Sequence, residues 1–276
     1  MEEPMKKVII VHGLKRSGNH AIINWLKSHG SFIFFNNVIP IAPILKGRKN
    51  FPPPEDFNQW LRRKLLPRNL QFAYFLMKIA LRKRSLIVSL EDHDLNVKPF
   101  LRVPCDVTNI LIIRDPYNLF SSRIRKSSLV KNPAYPKNTG PAMNRVLKLW
   151  KSHAREYLGE TNHLENKTCI YFNSWFANRD YRQSVSRTLN VEFTDHGFFK
   201  VSKIGGGSSF DKTNFDGSNQ MMNVLDRRSS LTDYEQRLLK DILADDELRE
   251  LADRITKMNH VSVLLQPKTD HTPSLK

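Results

Sequence analysis

The chain has 276 residues, 40% of them hydrophobic, enough to bury a core, which excludes a disordered polypeptide. No apolar run reaches the length needed to cross a bilayer, so no transmembrane segment is expected. Lys and Arg number 44 against 27 Asp and Glu, a formal charge of +17. A field of that sign favours an anionic partner: nucleic acid, an anionic membrane surface, a phosphorylated cofactor or an acidic glycan.

The opening MEEPMKKVII runs into a strand-like segment without a secretory signal's apolar core and cleavage site, so a cytoplasmic location is expected. A buried strand is predicted at 7–12, KVIIVH, followed by a glycine-flanked loop from Gly13 to Gly18. The helix that follows, about Asn19 to Ser28, puts Ala21, Ile22, Trp25 and Leu26 on one face, and Gly30 suits its end. SFIFF at 31–35 reads as a second strand. A proline-rich connection ends in Pro52-Pro53-Pro54, and two basic helical patterns follow at about 56–66 and 69–83. Together they form a basic, helical insertion at about 37–84.

A third strand, SLIVSL at 85–90, runs into Glu91-Asp92-His93. A fourth, NILII at 109–113, runs into Arg114-Asp115-Pro116 and a helix, with Asp115 as N-cap and Pro116 at the first helical position. TCIYF at 168–172 is a fifth strand, and helices are expected at 141–158, 179–189, 232–244 and 246–257. Cys105 and Cys169 lie far apart without metal-ligand spacing and are expected to be reduced and structural. The segment 1–262 is read as a single domain, and 263–276 as a flexible tail. Apolar strands alternating with helices predict an α/β fold with a doubly wound parallel sheet. Ligands bind such sheets beyond the carboxyl ends of the strands, so the loops after strands one, three and four are the candidate sites.

The loop Gly13-Leu14-Lys15-Arg16-Ser17-Gly18-Asn19-His20 lies between strand and helix. That order presents backbone N–H groups and a positive helix end to a phosphate. Its Gly-x4-Gly spacing resembles a Walker A loop, but Asn19-His20 replaces the Lys-Ser/Thr pair that reaches terminal phosphates and holds Mg²⁺. A magnesium-dependent kinase is therefore disfavoured, and an anion site built on loop cations without a metal is favoured. Nothing else supplies metal ligands at usual spacing.

Gly13 to His20 resembles the 5′-phosphosulfate loop of sulfotransferases that use 3′-phosphoadenosine 5′-phosphosulfate (PAPS). In that family a basic residue precedes Ser-Gly-Thr-Thr. Arg16, Ser17 and Gly18 match, while Asn19 and His20 depart. Arg114 and Ser122, in IIRDPYNLFSSRIRKS, are similar to the same family's 3′-phosphate motif. Ser122 lies about two helical turns beyond Arg114, roughly 10 Å along the axis, so both side chains could reach one phosphate. Tyr171 resembles the family's strand-end tyrosine beside the adenosine. Gly205-Gly206-Gly207-Ser208-Ser209-Phe210 stands where members carry a late glycine-containing loop, implying contacts from Gly207 and Ser208.

The resemblance implies transfer of a sulfuryl group from PAPS to a hydroxyl or amine, with 3′-phosphoadenosine 5′-phosphate (PAP) as product and no metal required. Such chemistry needs cations around the transferring group and a base for the acceptor's proton. Arg16, with the loop N–H groups and the helix end, suits the first role. Glu91 is the favoured base, since Ser89-Leu90-Glu91 resembles a family form, and His93 is the runner-up. Asn19 is expected to donate to a phosphate, and Lys15 to add charge. The acceptor is expected to be an anionic molecule or a glycan meeting the basic insertion. Two other classes remain: a P-loop kinase or nucleotide phosphotransferase, and a nucleic-acid-binding protein built on the basic helices at 62–84. The latter carry Trp60, Phe72, Tyr74 and Phe75 but no recognisable nucleic-acid motif, so no nucleic-acid partner is expected.

Overall fold

The computed structural model describes residues 7–37, 85–96, 106–129, 141–201, 210–211 and 222–264. Of the expected insertion at about 37–84, residues 38–84 lie outside them, as do Cys105, the glycines 205–207 with Ser208, and residues 265–276 of the expected tail 263–276. In chain order the elements are β1 (Lys7–Gly13), α1 (Asn19–Lys27), β2 (Phe32–Phe35), β3 (Ser85–Glu91), β4 (Asp106–Ile113), α2 (Pro116–Leu129) and α3 (Pro141–Tyr157). There follow β5 (Lys167–Tyr171), α4 (Phe172–Ala177), α5 (Arg179–Thr188), a 3-10 turn at Arg228–Ser230, α6 (Asp233–Leu243) and α7 (Asp246–Leu264).

The five strands form one sheet in the order β2-β3-β1-β4-β5, with every neighbouring pair parallel. This is the expected α/β sheet flanked by helices. Alternate residues of β1 point to opposite faces, as the strand repeat requires. Ile9 and Val11 join a large core with Trp25, Phe120, Trp150 and Trp175. Val8 and Ile10 join a second cluster with Phe35, Leu86, Val88 and Leu90. Both faces of the central strand are buried, which explains its uninterrupted apolar run.

β4 begins three residues earlier than its apolar core suggested. The ladder to β1 starts at the pair Lys7↔Asp106 and carries the polar Thr108 and Asn109 inside it. Asn109 is satisfied by side-chain bonds: its Oδ1 lies 3.0 Å from His12 Nε2, and its Nδ2 donates to Glu165 O at 2.7 Å. β5 ends at Tyr171, and Phe172 opens α4. Helix starts follow capping chemistry. Asp115 Oδ1 accepts from Asn118 N at 2.8 Å, and Thr232 with Glu235 forms a reciprocal capping box. Among the described residues no helix is long and apolar enough to cross a membrane.

β1 leads through α1 to β2 on one side of the sheet, while β4 leads to β5 on the other. The connections leaving β1 and β4 therefore diverge, and the crevice between those strand ends is the switch point where such sheets bind ligands.

Candidate active site

The chain turns from β1 into α1 through two residues in the left-handed region, Arg16 with φ 76° and Gly18 with φ 86°. At Gly18 the requirement for glycine is double. A Cβ there would lie 2.8 Å from Cζ of Phe172 and nearer still to the ring's adjacent carbons. Ser17 N donates to Leu14 O at 3.1 Å, closing the turn. Asp92, at the exit of β3, holds it from outside: Lys15 N donates to Asp92 Oδ1 at 3.0 Å, and Asp92 N donates to Gly13 O at 3.2 Å. The same carboxylate pairs with Arg123 of α2.

Arg16 reaches across the crevice, its Nε donating to Ser122 Oγ at 3.1 Å. Arg114 is 5% exposed, and its Nη1 donates to Arg16 O at 2.9 Å while Nη2 donates to Val224 O. Its guanidinium lies 4.9 Å from the centre of the Phe172 ring. The phosphate candidates after β1 and β4 are thus brought together, with Arg114 as the pin that shapes the loop. Burial lowers the Arg114 pKa to about 10, and the cations Arg227 and Arg16 push the same way against Asp115. At such a site a bound anion stabilises the charges. Gly18 is the N-cap of α1 and offers no side-chain cap, so the first N–H groups of the helix lack an internal acceptor. Ser17 Oγ is fully buried and has no hydrogen-bond partner among the described residues.

Asn19 differs from its sequence reading. Its Nδ2 donates to Leu14 O at 3.0 Å and to Glu91 Oε1 at 2.9 Å, so its side-chain amide hydrogens are used within the protein. Only its backbone N–H faces the anion end. Glu91, opposite Gly13 in the ladder, also lies 4.0 Å from His20 Nε2. His20 Nε2 is 2.9 Å from Asn36 Oδ1, which accepts from Ser89 Oγ as well. His93 sits on the other side of the turn. Burial lowers its pKa, and the cations Arg145 and Lys15 add to that against Asp92 and Glu91. The turn Glu91–His93 is therefore a held structure: His153 Nε2 lies 3.0 Å from His93 O, and Arg145 donates to Asp92 O at 3.3 Å.

Tyr171 lines a cleft of about 400 Å³ between the start of α2, the end of β5 and α7, together with Asp115, Tyr117, Asn173, Asp226 and Thr256. Its hydroxyl lies 3.4 Å from Thr256 Oγ1, and burial pushes its pKa to about 12. Phe210 packs against the guanidinium groups of Arg125 and Arg227, and Asp211 accepts from Arg227 Nη1 at 2.6 Å. The residues that follow the glycine segment are thereby seated beside α2.

Sequence reasoning missed Phe172, Asp92, Arg123 and Val224. Asp92 carries a signal only in retrospect, its φ of 59°, a conformation Asp tolerates better than most residues. Val224 contributes a carbonyl, which no sequence pattern reveals.

Fold and site together define an α/β protein whose β1–α1 loop brings Arg16 and the uncapped start of α1 to the β1–β4 crevice. No protein-family model matches the chain, and no curated protein matches it. Similar solved structures include a sulfotransferase domain from the curacin biosynthetic pathway, 14% identical over 92% of this chain and 99% of that chain, with a TM-score of 0.49. Another is the mouse sulfotransferase SULT7A1 complexed with PAP, 13% identical over 90% of this chain and 88% of that chain, with a TM-score of 0.47.

Proposed function

We propose that this chain is a sulfotransferase that moves a sulfuryl group from PAPS to a hydroxyl or amine of an acceptor. The observation that carries the reading is the 3.1 Å bond from Arg16 to Ser122, which joins two phosphate motifs 106 positions apart at one crevice. The residues fit a doubly phosphorylated donor. A buried Ser17 hydroxyl without a hydrogen-bond partner among the described residues, uncapped helix N–H groups and clustered guanidinium groups converge there. A kinase is disfavoured because the Walker lysine position holds Asn19, whose amide hydrogens are used within the protein.

When bound, the donor supplies a sulfuryl group on a phosphate leaving group. Arg16, Lys15 and the N–H groups of Gly18, Asn19 and His20 hold the 5′ end and take up negative charge developing there. Ser122 and Arg114 serve the 3′-phosphate, Ser122 directly from α2 and Arg114 by fixing the Arg16 carbonyl. The cleft beside Tyr171 takes the nucleoside, and the contacts expected from Gly207 and Ser208 fall outside the described residues. Glu91 and His93 enter as candidates for the acceptor's proton. The chain's charge favours an anionic or glycan acceptor.

Thermal unfolding with PAP, PAPS and Mg-ATP tests the reading, because a ligand of the native state raises its stability. PAP is expected to raise the Tm without added metal and equally in EDTA. Stabilisation by Mg-ATP and not by PAP would replace the sulfotransferase with a kinase.

A further inference from the structure

We infer that His20, rather than Glu91 or His93, accepts the acceptor's proton, with Glu91 as its positioning residue; this rests on the sulfotransferase reading. The argument starts from a hydrogen-bond chain with a fixed direction. Asn37 N can only donate, and it donates to Ser89 Oγ at 2.8 Å. Ser89 Oγ in turn donates to Asn36 Oδ1 at 3.1 Å, so an acceptor oxygen faces His20 Nε2 at 2.9 Å. Glu91 Oε1, a second acceptor, lies 4.0 Å from the same nitrogen. Nε2 therefore carries the proton, and in the neutral ring the lone pair is on Nδ1.

Position agrees with this role. His20 is the second residue of α1, next to the N–H groups that receive the anion. Once a proton arrives, the nearby Glu91 carboxylate balances the charge. Phe34 of β2 packs edge-on to the ring at 6.3 Å and limits its rotation. The His20 side chain is 19% exposed, against 11% for Glu91, whose Oε1 is already bonded to Asn19. Burial, with Arg145 and Lys15 beside it, holds the His93 pKa down against Asp92 and Glu91, which weakens it as a proton acceptor.

In the step itself the acceptor oxygen forms a bond to sulfur, and the bond between sulfur and the bridging 5′-phosphate oxygen breaks. That electron pair stays on PAP, and the acceptor's proton passes to Nδ1. Solvent later removes it, so the balance is PAPS plus acceptor giving PAP, sulfated acceptor and one proton.

Two readouts on the full chain test this. In ¹⁵N-histidine NMR the His20 signals, assigned by their loss in His20→Gln, are expected to show the Nε2–H tautomer at neutral pH; an Nδ1–H tautomer overturns the assignment. This arm requires no acceptor. In the second, PAP release from PAPS with water as acceptor is followed against pH. His20→Gln is expected to lose about 10²–10⁴-fold in turnover while binding PAP within about threefold of wild type. Glu91→Gln is expected to lose less, and Glu91→Asp, which keeps a carboxylate beside the ring, to recover part of that loss. Wild-type turnover in His20→Gln overturns the assignment and leaves the sulfotransferase reading standing. Failure of the wild-type protein to bind PAP removes that reading, and the assignment with it.

Discussion

Replacing Gly18 by Ala tests the shape of the loop most directly. Two costs arise there. An L-residue at φ 86° is strained by about 1–2 kcal/mol relative to glycine. The new methyl would also stand 2.8 Å from Cζ of the buried Phe172, and overpacking of that kind costs about 1–3 kcal/mol. The sum is about 2–5 kcal/mol, a large fraction of a typical domain's stability. Gly159→Ala separates the two terms. Gly159 has φ 78°, but a Cβ there meets nothing within 4 Å, so only the backbone cost should appear. Urea unfolding of both variants, with and without PAP, measures the difference. Gly18→Ala should lose about 1–3 kcal/mol more than Gly159→Ala, and Phe172→Leu in the same chain should restore part of it. Equal losses for the two alanines would show that Phe172 does not lie under the loop.

Ser122→Ala should weaken PAP more than adenosine 5′-phosphosulfate, which lacks the 3′-phosphate, by about 1 kcal/mol in calorimetry, while Arg16→Ala, at the 5′ end, should weaken both. Equal losses for both ligands would remove Ser122 from 3′-phosphate recognition. Arg114→Lys keeps a cation but cannot bridge the carbonyls of Arg16 and Val224, so urea unfolding should show a loss of about 1–3 kcal/mol. Burial holds the His12 pKa at about 4 against an ordinary 6.5, with Asn109 only partly opposing. The unfolded chain then binds the extra proton first, so this contribution is full above pH 6.5 and is lost as pH falls towards 4. His12→Gln should flatten the wild-type decline in that window by about 2–3 kcal/mol.

The strands at the centre were legible because Val8 to Val11 and Leu86 to Val88 are buried on both faces, and burial writes itself into residue type. The loop was legible for a similar reason: Gly18 is forced by conformation, and Arg16 by charge. Polar residues inside elements were harder to read. Asn109 looked like the entrance to β4 because its partners, His12 and Glu165, lie far away in sequence. Asn19 looked like a phosphate donor because the loop alone does not reveal Glu91, 72 positions on. At the end of β5 two aromatic residues stand side by side. Tyr171 turns to Thr256 while Phe172 lies under Gly18, and only the end of β5 at Tyr171, where α4 takes over, settles which ring goes where.

The contact of Arg114 with Val224 has a consequence for biosynthesis. The guanidinium that fixes the Arg16 carbonyl is itself fixed by a residue 110 positions later, so the loop lacks its final shape when β1, β3 and β4 have already paired. On a ribosome, a chain that has emerged only to α5 can contain the whole sheet and still lack the finished shape of the β1–α1 loop. A nonsense fragment ending ahead of Val224 would keep the sheet and leave Arg114 without the carbonyl that completes its hold on that loop.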